Sequence, residues 1–140
     1  MELLAGGIIA AAVVGLGVAT RRGRSPQFYG DVLVVIALAY VLFAVMTESP
    51  RTIVVESGVA AAFIAVAVGA ARGANRRRAG RLVAAGLAAH GVYDLVHPTV
   101  VGNPVVPAWW PLFCGVVDVL LAGWVAVFVA ESPAPGSGAE

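Results

Sequence analysis

Residues 28–47 read FYGDVLVVIALAYVLFAVMT, an apolar run that contains one ionisable side chain, Asp31. A helix needs roughly 20 residues to cross a hydrocarbon core of about 30 Å, and about 17 suffice. Because lipid offers the backbone no hydrogen bonds, such a segment must satisfy its own donors and acceptors, as an α-helix does. The run is therefore predicted to be a transmembrane helix.

Four further runs of similar character predict that the chain crosses the membrane five times. Of the 140 residues, 60% are hydrophobic and 12% are charged, and the mean hydropathy is +0.91. A water-soluble domain of this length cannot hide so much apolar surface in one core. We expect an all-α integral membrane bundle, a single domain over residues 1–130, with helices over approximately Leu3–Ala19, Phe28–Thr47, Thr52–Ala71, Leu82–His97 (starting as early as Ala79) and Leu112–Ala130.

The arginines predict the orientation of this bundle. All but one of the nine basic residues fall in the first and third connections, and Arg51 stands alone on the other side. Because basic connections stay cytoplasmic, we expect the amino terminus outside and the carboxyl terminus in the cytoplasm, across the inner membrane of a bacterium. Residues 131–140, rich in Pro, Gly, Ser and Ala, are expected to form a disordered cytoplasmic tail.

Charge and cysteine content exclude several classes of protein. The formal net charge is +1, and the basic residues are confined to short connections, so no nucleic-acid partner is expected. Cys114 is the only cysteine, which rules out an intramolecular disulfide and a cysteine-rich metal module. The partners that remain are membrane lipids, an apolar small molecule and a second copy of the chain in a homodimer.

Ionisable side chains inside the last three runs are the strongest functional signal. Such groups are costly in lipid and by default mark a functional site. His90, Asp94 and His97 lie within about 60° of one another around helix four. We expect this stripe to face into the bundle, in the outer half of the membrane, together with Glu56, Cys114 and Asp118.

The surroundings of this cluster are also predicted. Small residues, notably Gly58, Gly86, Gly91 and Gly115, are expected to let helices three to five approach closely. Tyr40 of helix two is expected mainly to pack, or else to supply a hydroxyl. The four prolines between Pro98 and Pro111 predict a stiff loop over the site, with Trp109 and Trp110 as interfacial anchors or as one wall of an apolar entrance.

Two kinds of chemistry fit the cluster, and a third interpretation needs none. Zinc accepts imidazole, carboxylate and thiolate, so a divalent metal such as zinc is one candidate, held by a set drawn from His90, Asp94, His97, Asp118 and Cys114. Alternatively, Asp94, Asp118, His90 and Glu56 act as catalytic acids and bases without a metal. In the third interpretation the groups hydrogen-bond across helices only to fix packing, and Cys114 is a small buried hydrophobe.

The distance between the two histidines constrains the metal interpretation. His90 and His97 are separated by about 10.5 Å of helical rise, so one ion reached by both would strain a regular helix. Asp94 can then orient an imidazole rather than bind the ion. His97 precedes Pro98, which disfavours continued helix there, and an inward turn at His97 would relax the constraint.

The pattern His90-x-x-x-Asp94-x-x-His97, then Gly102-Asn103-Pro104, then Cys114-x-x-x-Asp118 resembles a family of small multi-pass bacterial membrane proteins that is uncharacterised. The resemblance extends loosely over residues 28–130 and includes Glu56. This chain has Tyr93 where the family commonly has tryptophan. The resemblance implies a bacterial membrane protein with these polar positions, but no reaction. Site chemistry alone gives a vaguer likeness to membrane hydrolases and to sterol or isoprenoid isomerases, which is analogy.

Three functions are open at this point, and the sequence does not decide whether the protein is an enzyme. The first is a membrane-embedded enzyme that hydrolyses or isomerises a lipid or isoprenoid-like apolar substrate at an outer-leaflet site. The second is a metal-ion or proton-coupled binding or transport protein, although the apolar stretches Leu82–Ala89 and Val119–Ala130 disfavour a route through the protomer. The third is an accessory membrane subunit without chemistry.

Overall fold

The computed structural model describes residues 1–131, which form five helices. These are α1 (Glu2–Ala19), α2 (Pro26–Met46), α3 (Pro50–Arg72), α4 (Arg76–Val100) and α5 (Trp110–Trp124), the last continued by a π-helical turn over Val125–Val129. All except α4 are long and apolar enough to cross a membrane. The predicted all-helical membrane bundle is confirmed, and the tail predicted after Glu131 lies outside the described residues.

The helix that differs, α4, lies at the centre of the bundle. It is 25 residues long, but it begins with three consecutive arginines and carries His90, Asp94 and His97, so it is less apolar than the others. It packs against α2, α3 and α5, and these neighbours shield its polar side chains from lipid. Because it runs from Arg76 to Val100, α4 extends beyond the predicted apolar run, Leu82–His97, at both ends.

Local signals in the sequence account for the starts of three helices. Pro26 and Pro50 begin α2 and α3, at the position where a missing N–H costs no hydrogen bond. The side chain of Asn75 caps α4 and accepts a hydrogen bond from the backbone N–H of Arg78 at 2.9 Å. The predicted number and order of the helices depended on the apolar runs rather than on these local signals.

The end of α4 does not make the inward turn at His97 that would have let His90 and His97 share one ion. The helix continues through Pro98 as far as Val100, although Pro98 has no N–H to donate to the carbonyl of Asp94. It is closed by Gly102, whose φ of 65° favours glycine and whose N–H donates to the carbonyl of His97 at 3.2 Å. The Gly102-Asn103-Pro104 motif thus marks the C-terminal end of α4.

The two ends of the bundle differ in charge. The arginine-rich connections meet at one end, where the side chain of Arg76 donates to the carbonyl of Arg24 and Arg81 pairs with Glu131 at 3.6 Å. We call this the arginine-rich end. The opposite end, which carries Arg51 and the loop of residues 101–109, is called the loop end.

Glycines mark the closest helix contacts. A Cβ atom on Gly91 would lie 3.3 Å from the carbonyl oxygen of Gly115 of α5, and one on Gly86 would lie 3.0 Å from Cγ1 of Val66 of α3. The predicted role of Gly86, Gly91 and Gly115 is confirmed. The same prediction is wrong for Gly58, since a Cβ atom there would meet nothing within 4 Å. That face of α3 points away from the other helices.

Candidate functional site

Three side chains from α4 and α5 form a compact group, which we call the His90 cluster. Nδ1 of His90 lies 2.7 Å from Oδ2 of Asp118 and 3.6 Å from Oδ2 of Asp94. One ligand atom from each residue lies within 4.8 Å of the others, and none of the three residues is more than 1% exposed. The cluster is therefore cut off from lipid and from solvent.

Helical spacing and small residues together assemble this cluster. His90 and Asp94 are one turn apart, so they project from the same face of α4. Across the helix interface, a Cβ atom on Gly91 would lie 3.3 Å from the Cβ of Asp118, and one on Gly115 would lie 3.7 Å from the Cβ of Asp94. Larger residues at these two glycines would hold Asp118 away from α4.

Four polar atoms in and beside the His90 cluster lack a hydrogen-bond partner within the described residues. They are both carboxylate oxygens of Asp94, Oδ1 of Asp118 and the hydroxyl oxygen of Tyr40, which interacts electrostatically with Asp94. Buried polar atoms are rarely left unpaired in proteins, and those without a protein partner commonly bind ordered water or an ion. The cluster therefore has the properties of a small, enclosed cation site.

A second buried group, the Glu56 cluster, joins Glu56 of α3 to Tyr93 and His97 of α4. The Tyr93 hydroxyl donates to Oε2 of Glu56 at 2.6 Å, and Nε2 of His97 lies 2.6 Å from Oε1. One hydrogen is shared between Nε2 and Oε1 in that pair, and which atom donates depends on the tautomer of His97. Both oxygens of Glu56 are thus satisfied, in contrast to those of Asp94.

Aromatic rings fill the space between the two clusters. The ring of Tyr40 stacks on His97 with centroids 4.2 Å apart, and its centroid lies 6.1 Å from that of His90. Phe63 of α3 contacts His90 edge to face, with centroids 4.7 Å apart. These rings separate the polar groups from lipid and fix the position of both imidazoles.

All the predicted site residues are buried, but they do not form a single ligand set. His97 is paired with Glu56. Cys114 does not belong to the group of residues whose ligand atoms all lie within 4.8 Å of one another. Cys114 instead lines an apolar cavity of about 170 Å³ together with Ile36, Trp110 and Val117. The structure therefore brings together His90, Asp94 and Asp118 and leaves the other two predicted metal ligands apart from them.

Tyr93 and Phe63 had no predicted role in the site, whereas Tyr40 was predicted mainly to pack, and it stacks on His97. Tyr93 lies three residues after His90 and four before His97, so its helical spacing was a usable signal that it belongs to the same stripe. Phe63 and Tyr40 carried no such signal, because their proximity to the histidines depends on how α2 and α3 pack against α4.

The two sides of this polar interior differ. Toward the arginine-rich end, Val83, Leu87, Leu121 and Val125 are fully buried in a hydrophobic core. Toward the loop end there is a depression of about 40 Å³, and its lining includes Val55 and Val101. Val55 is the chain neighbour of Glu56, and the N–H of Val101 donates to the carbonyl of His97. The polar groups are therefore closer to the surface at the loop end.

Comparison of the chain with protein-family models, with curated proteins and with solved structures finds no match. What the site does is therefore inferred from its geometry.

Proposed function

We propose that this protein binds a divalent metal ion inside the membrane, at the His90 cluster, and that zinc is the first ion to test. The proposal is carried by one observation: two buried carboxylates converge on one imidazole, and within residues 1–131 three of their four oxygens have no hydrogen-bond partner. A buried charge is costly unless it is paired or coordinates a metal. A divalent cation would neutralise both carboxylates and occupy their unpaired oxygens.

The ligand types and the distances support this proposal. Catalytic zinc sites use three protein ligands, commonly imidazole and carboxylate, and keep a fourth position open. Two ligand atoms that each lie about 2.1 Å from a tetrahedral ion are about 3.4 Å apart. The separation of 3.6 Å between His90 and Asp94 is close to this value. The 2.7 Å contact with Asp118 would have to lengthen by about 0.7 Å, with the ion replacing a hydrogen.

The surroundings favour binding from one side over passage through the protomer. Fully buried aliphatic side chains fill the arginine-rich side of the cluster, including Leu87 and Leu121, and they offer no ligand to a moving ion. The Glu56 cluster lies on the side of the loop end, where His97 and Glu56 continue the polar interior. We therefore propose that the ion enters and leaves through the loop end, which the arginine distribution predicts to face outward.

A membrane-embedded enzyme is the second candidate, and the apolar cavity beside the cluster favours it. This cavity of about 170 Å³ is lined by Cys114 and Val117, and Val117 directly precedes Asp118. A segment of a lipid or isoprenoid-like substrate would fit such an apolar space. A bound metal would supply Lewis-acid chemistry, while Asp94, Asp118, His90 and Glu56 are the acids and bases available for hydrolysis or isomerisation.

Metal analysis of the detergent-purified protein tests the first proposal. After zinc loading and dialysis, the wild type is expected to retain a single equivalent, and Asp94→Asn and Asp118→Asn to retain little. Glu48→Gln, which changes an exposed carboxylate in the α2–α3 connection, is the matched control and should bind like the wild type. A wild type that retains no metal, and whose thermal unfolding does not respond to zinc, would contradict metal binding and favour an accessory subunit.

A further inference from the structure

An apolar crevice separates α1 from α2, although the two helices are consecutive in the chain. Consecutive elements are usually neighbours in space, yet α1 packs mainly on α5 and has few contacts with α2, among them Gly17 with the ring of Phe28. The crevice has a volume of about 360 Å³, and its lining includes Ile9 and Val13 of α1, Phe28 and Ile36 of α2, and Val117 of α5. Within the membrane, an apolar gap of this kind must be filled by something other than water.

The crevice is long enough for the tail of a lipid. It shares Ile9, Val35, Ile36 and Val117 with the cavity of about 170 Å³ that reaches Trp110. Along α2, the lining extends from Phe28 to Ala39, about 16 Å of helical rise. This is roughly half of the hydrocarbon core and so corresponds to the depth of one leaflet.

Two opposite charges line the crevice where it opens at the arginine-rich end. Arg22 and Asp31 both belong to the lining, and both side chains are exposed. Across residues 1–131 neither side chain takes part in an ion pair. A guanidinium binds phosphate oxygens well, and a carboxylate accepts hydrogen bonds from an ammonium group. An unpaired cation and an unpaired anion at one opening therefore complement a zwitterion.

We propose that this crevice binds one zwitterionic phospholipid of the phosphatidylethanolamine type. One acyl chain lies between α1 and α2, the phosphate contacts Arg22 and the ammonium group contacts Asp31. Phosphatidylethanolamine is preferred to phosphatidylcholine because its ammonium can donate hydrogen bonds to Asp31, whereas a quaternary ammonium cannot. The crevice does not include the residues of the His90 cluster, so the test of lipid binding does not depend on whether the protein binds a metal.

The contact between the crevice and the acyl chain is tested by native mass spectrometry. The purified protein is first exposed to an equimolar mixture of phosphatidylethanolamine, phosphatidylcholine and phosphatidylglycerol, and the masses of the complexes then identify the lipid that stays bound. We expect the wild type to retain a single phosphatidylethanolamine. Val35→Trp fills the crevice from an exposed position that tolerates a large side chain, and it should reduce retention at least fivefold. Leu38→Trp is the matched control on α2, since Leu38 is also exposed but does not line the crevice.

The charge contacts are tested with single substitutions at exposed positions, where folding is not at risk. Arg22→Gln is expected to reduce retention of all three lipids, whereas Arg77→Gln, at the same end of the bundle, should not. Asp31→Asn leaves Arg22 without a neighbouring anion and should shift the retained lipid at least threefold toward phosphatidylglycerol. Retained lipid that mirrors the mixture, or equal retention in Val35→Trp and Leu38→Trp, would overturn the proposal and indicate annular lipid only.

Discussion

Nδ1 of His90 lies 2.7 Å from Oδ2 of Asp118, and this hydrogen bond crosses the α4–α5 interface between residues 28 apart in the chain. In the metal-free protein, a hydrogen therefore occupies the position that the proposed ion would take. Proton and metal compete for the same two atoms, since a ligand must give up its proton to bind a metal. Metal binding is accordingly linked to pH.

Zinc binding is expected to release a proton and to tighten as the pH rises. If one proton leaves for each ion bound, the apparent dissociation constant falls about tenfold per pH unit while the His90–Asp118 pair remains protonated. Titration calorimetry in two buffers of different ionisation enthalpy counts the protons released. An affinity that is independent of pH would show that no proton is released, because the imidazole of His90 then keeps its hydrogen on Nε2 when Nδ1 binds the ion.

Asp94→Asn is expected to change stability in opposite directions with and without metal. In the metal-free protein, the substitution removes a buried carboxylate that has no hydrogen-bond partner within residues 1–131 and that approaches Nδ1 of His90 only to 3.6 Å, so the free energy of unfolding should rise by about 1 kcal/mol. At a zinc concentration of about 100 times the dissociation constant, the wild type gains about 2.7 kcal/mol, and the variant should gain little. Thermal unfolding with zinc and with a chelator measures both effects.

The control for Asp94→Asn is Glu48→Gln, which also replaces a carboxylate by an amide but at an exposed position. It should leave both the basal stability and the response to zinc unchanged. If Asp94→Asn instead destabilised the protein equally under both conditions, Asp94 would be a structural hydrogen-bonding partner rather than a ligand.

The sequence predicted the bundle because membrane spans depend on properties local to each segment. Apolar length is visible residue by residue, and each helix was found. The two ends of α4 were not predicted. Arg76 and Pro98 lie inside this helix because neighbouring helices pack against it and because it ends at Gly102. A local pattern does not carry that information.

The sequence predicted which residues form the site but not which of them pair with one another. Helical spacing placed His90, Asp94 and His97 on one inward face, and all three are buried. The pairing of His97 with Glu56, rather than with a shared ion, depends on how α3 rotates about its axis. The misassigned Gly58 has the same cause, since one apolar helix face resembles another in sequence.

Gly91→Ala is expected to disturb the site without altering any polar group. The added Cβ would lie 3.3 Å from the Gly115 carbonyl oxygen and from the Cβ of Asp118, so α4 and α5 must separate by a few tenths of an ångström. Overpacking of this kind costs about 1–3 kcal/mol. Because Asp118 then moves relative to His90, we expect zinc affinity to fall about tenfold, a loss of about 1.4 kcal/mol.

Gly58→Ala is the matched control for Gly91→Ala, because a Cβ there meets no atom within 4 Å. Alanine is the better helix former, so this variant should be unchanged or more stable by up to about 1 kcal/mol, with the affinity of the wild type for zinc. Calorimetry and thermal unfolding of the two variants compare them directly. Equal effects would mean that the contact between Gly91 and Gly115 does not position Asp118.

The two buried tyrosines are expected to respond differently to loss of the hydroxyl. Tyr93→Phe leaves Oε2 of Glu56 without its donor, and an unsatisfied buried acceptor costs about 1–3 kcal/mol. The Tyr40 hydroxyl has no hydrogen-bond partner, so Tyr40→Phe should change the stability of the metal-free protein by less than about 0.5 kcal/mol. Thermal unfolding in the presence of a chelator measures this difference. Equal costs for the two variants would show that the Tyr40 hydroxyl is hydrogen-bonded to Asp94, either directly or through an ordered water. The oxygens of Asp94 would then not be unpaired, and the main support for a metal ion would be lost.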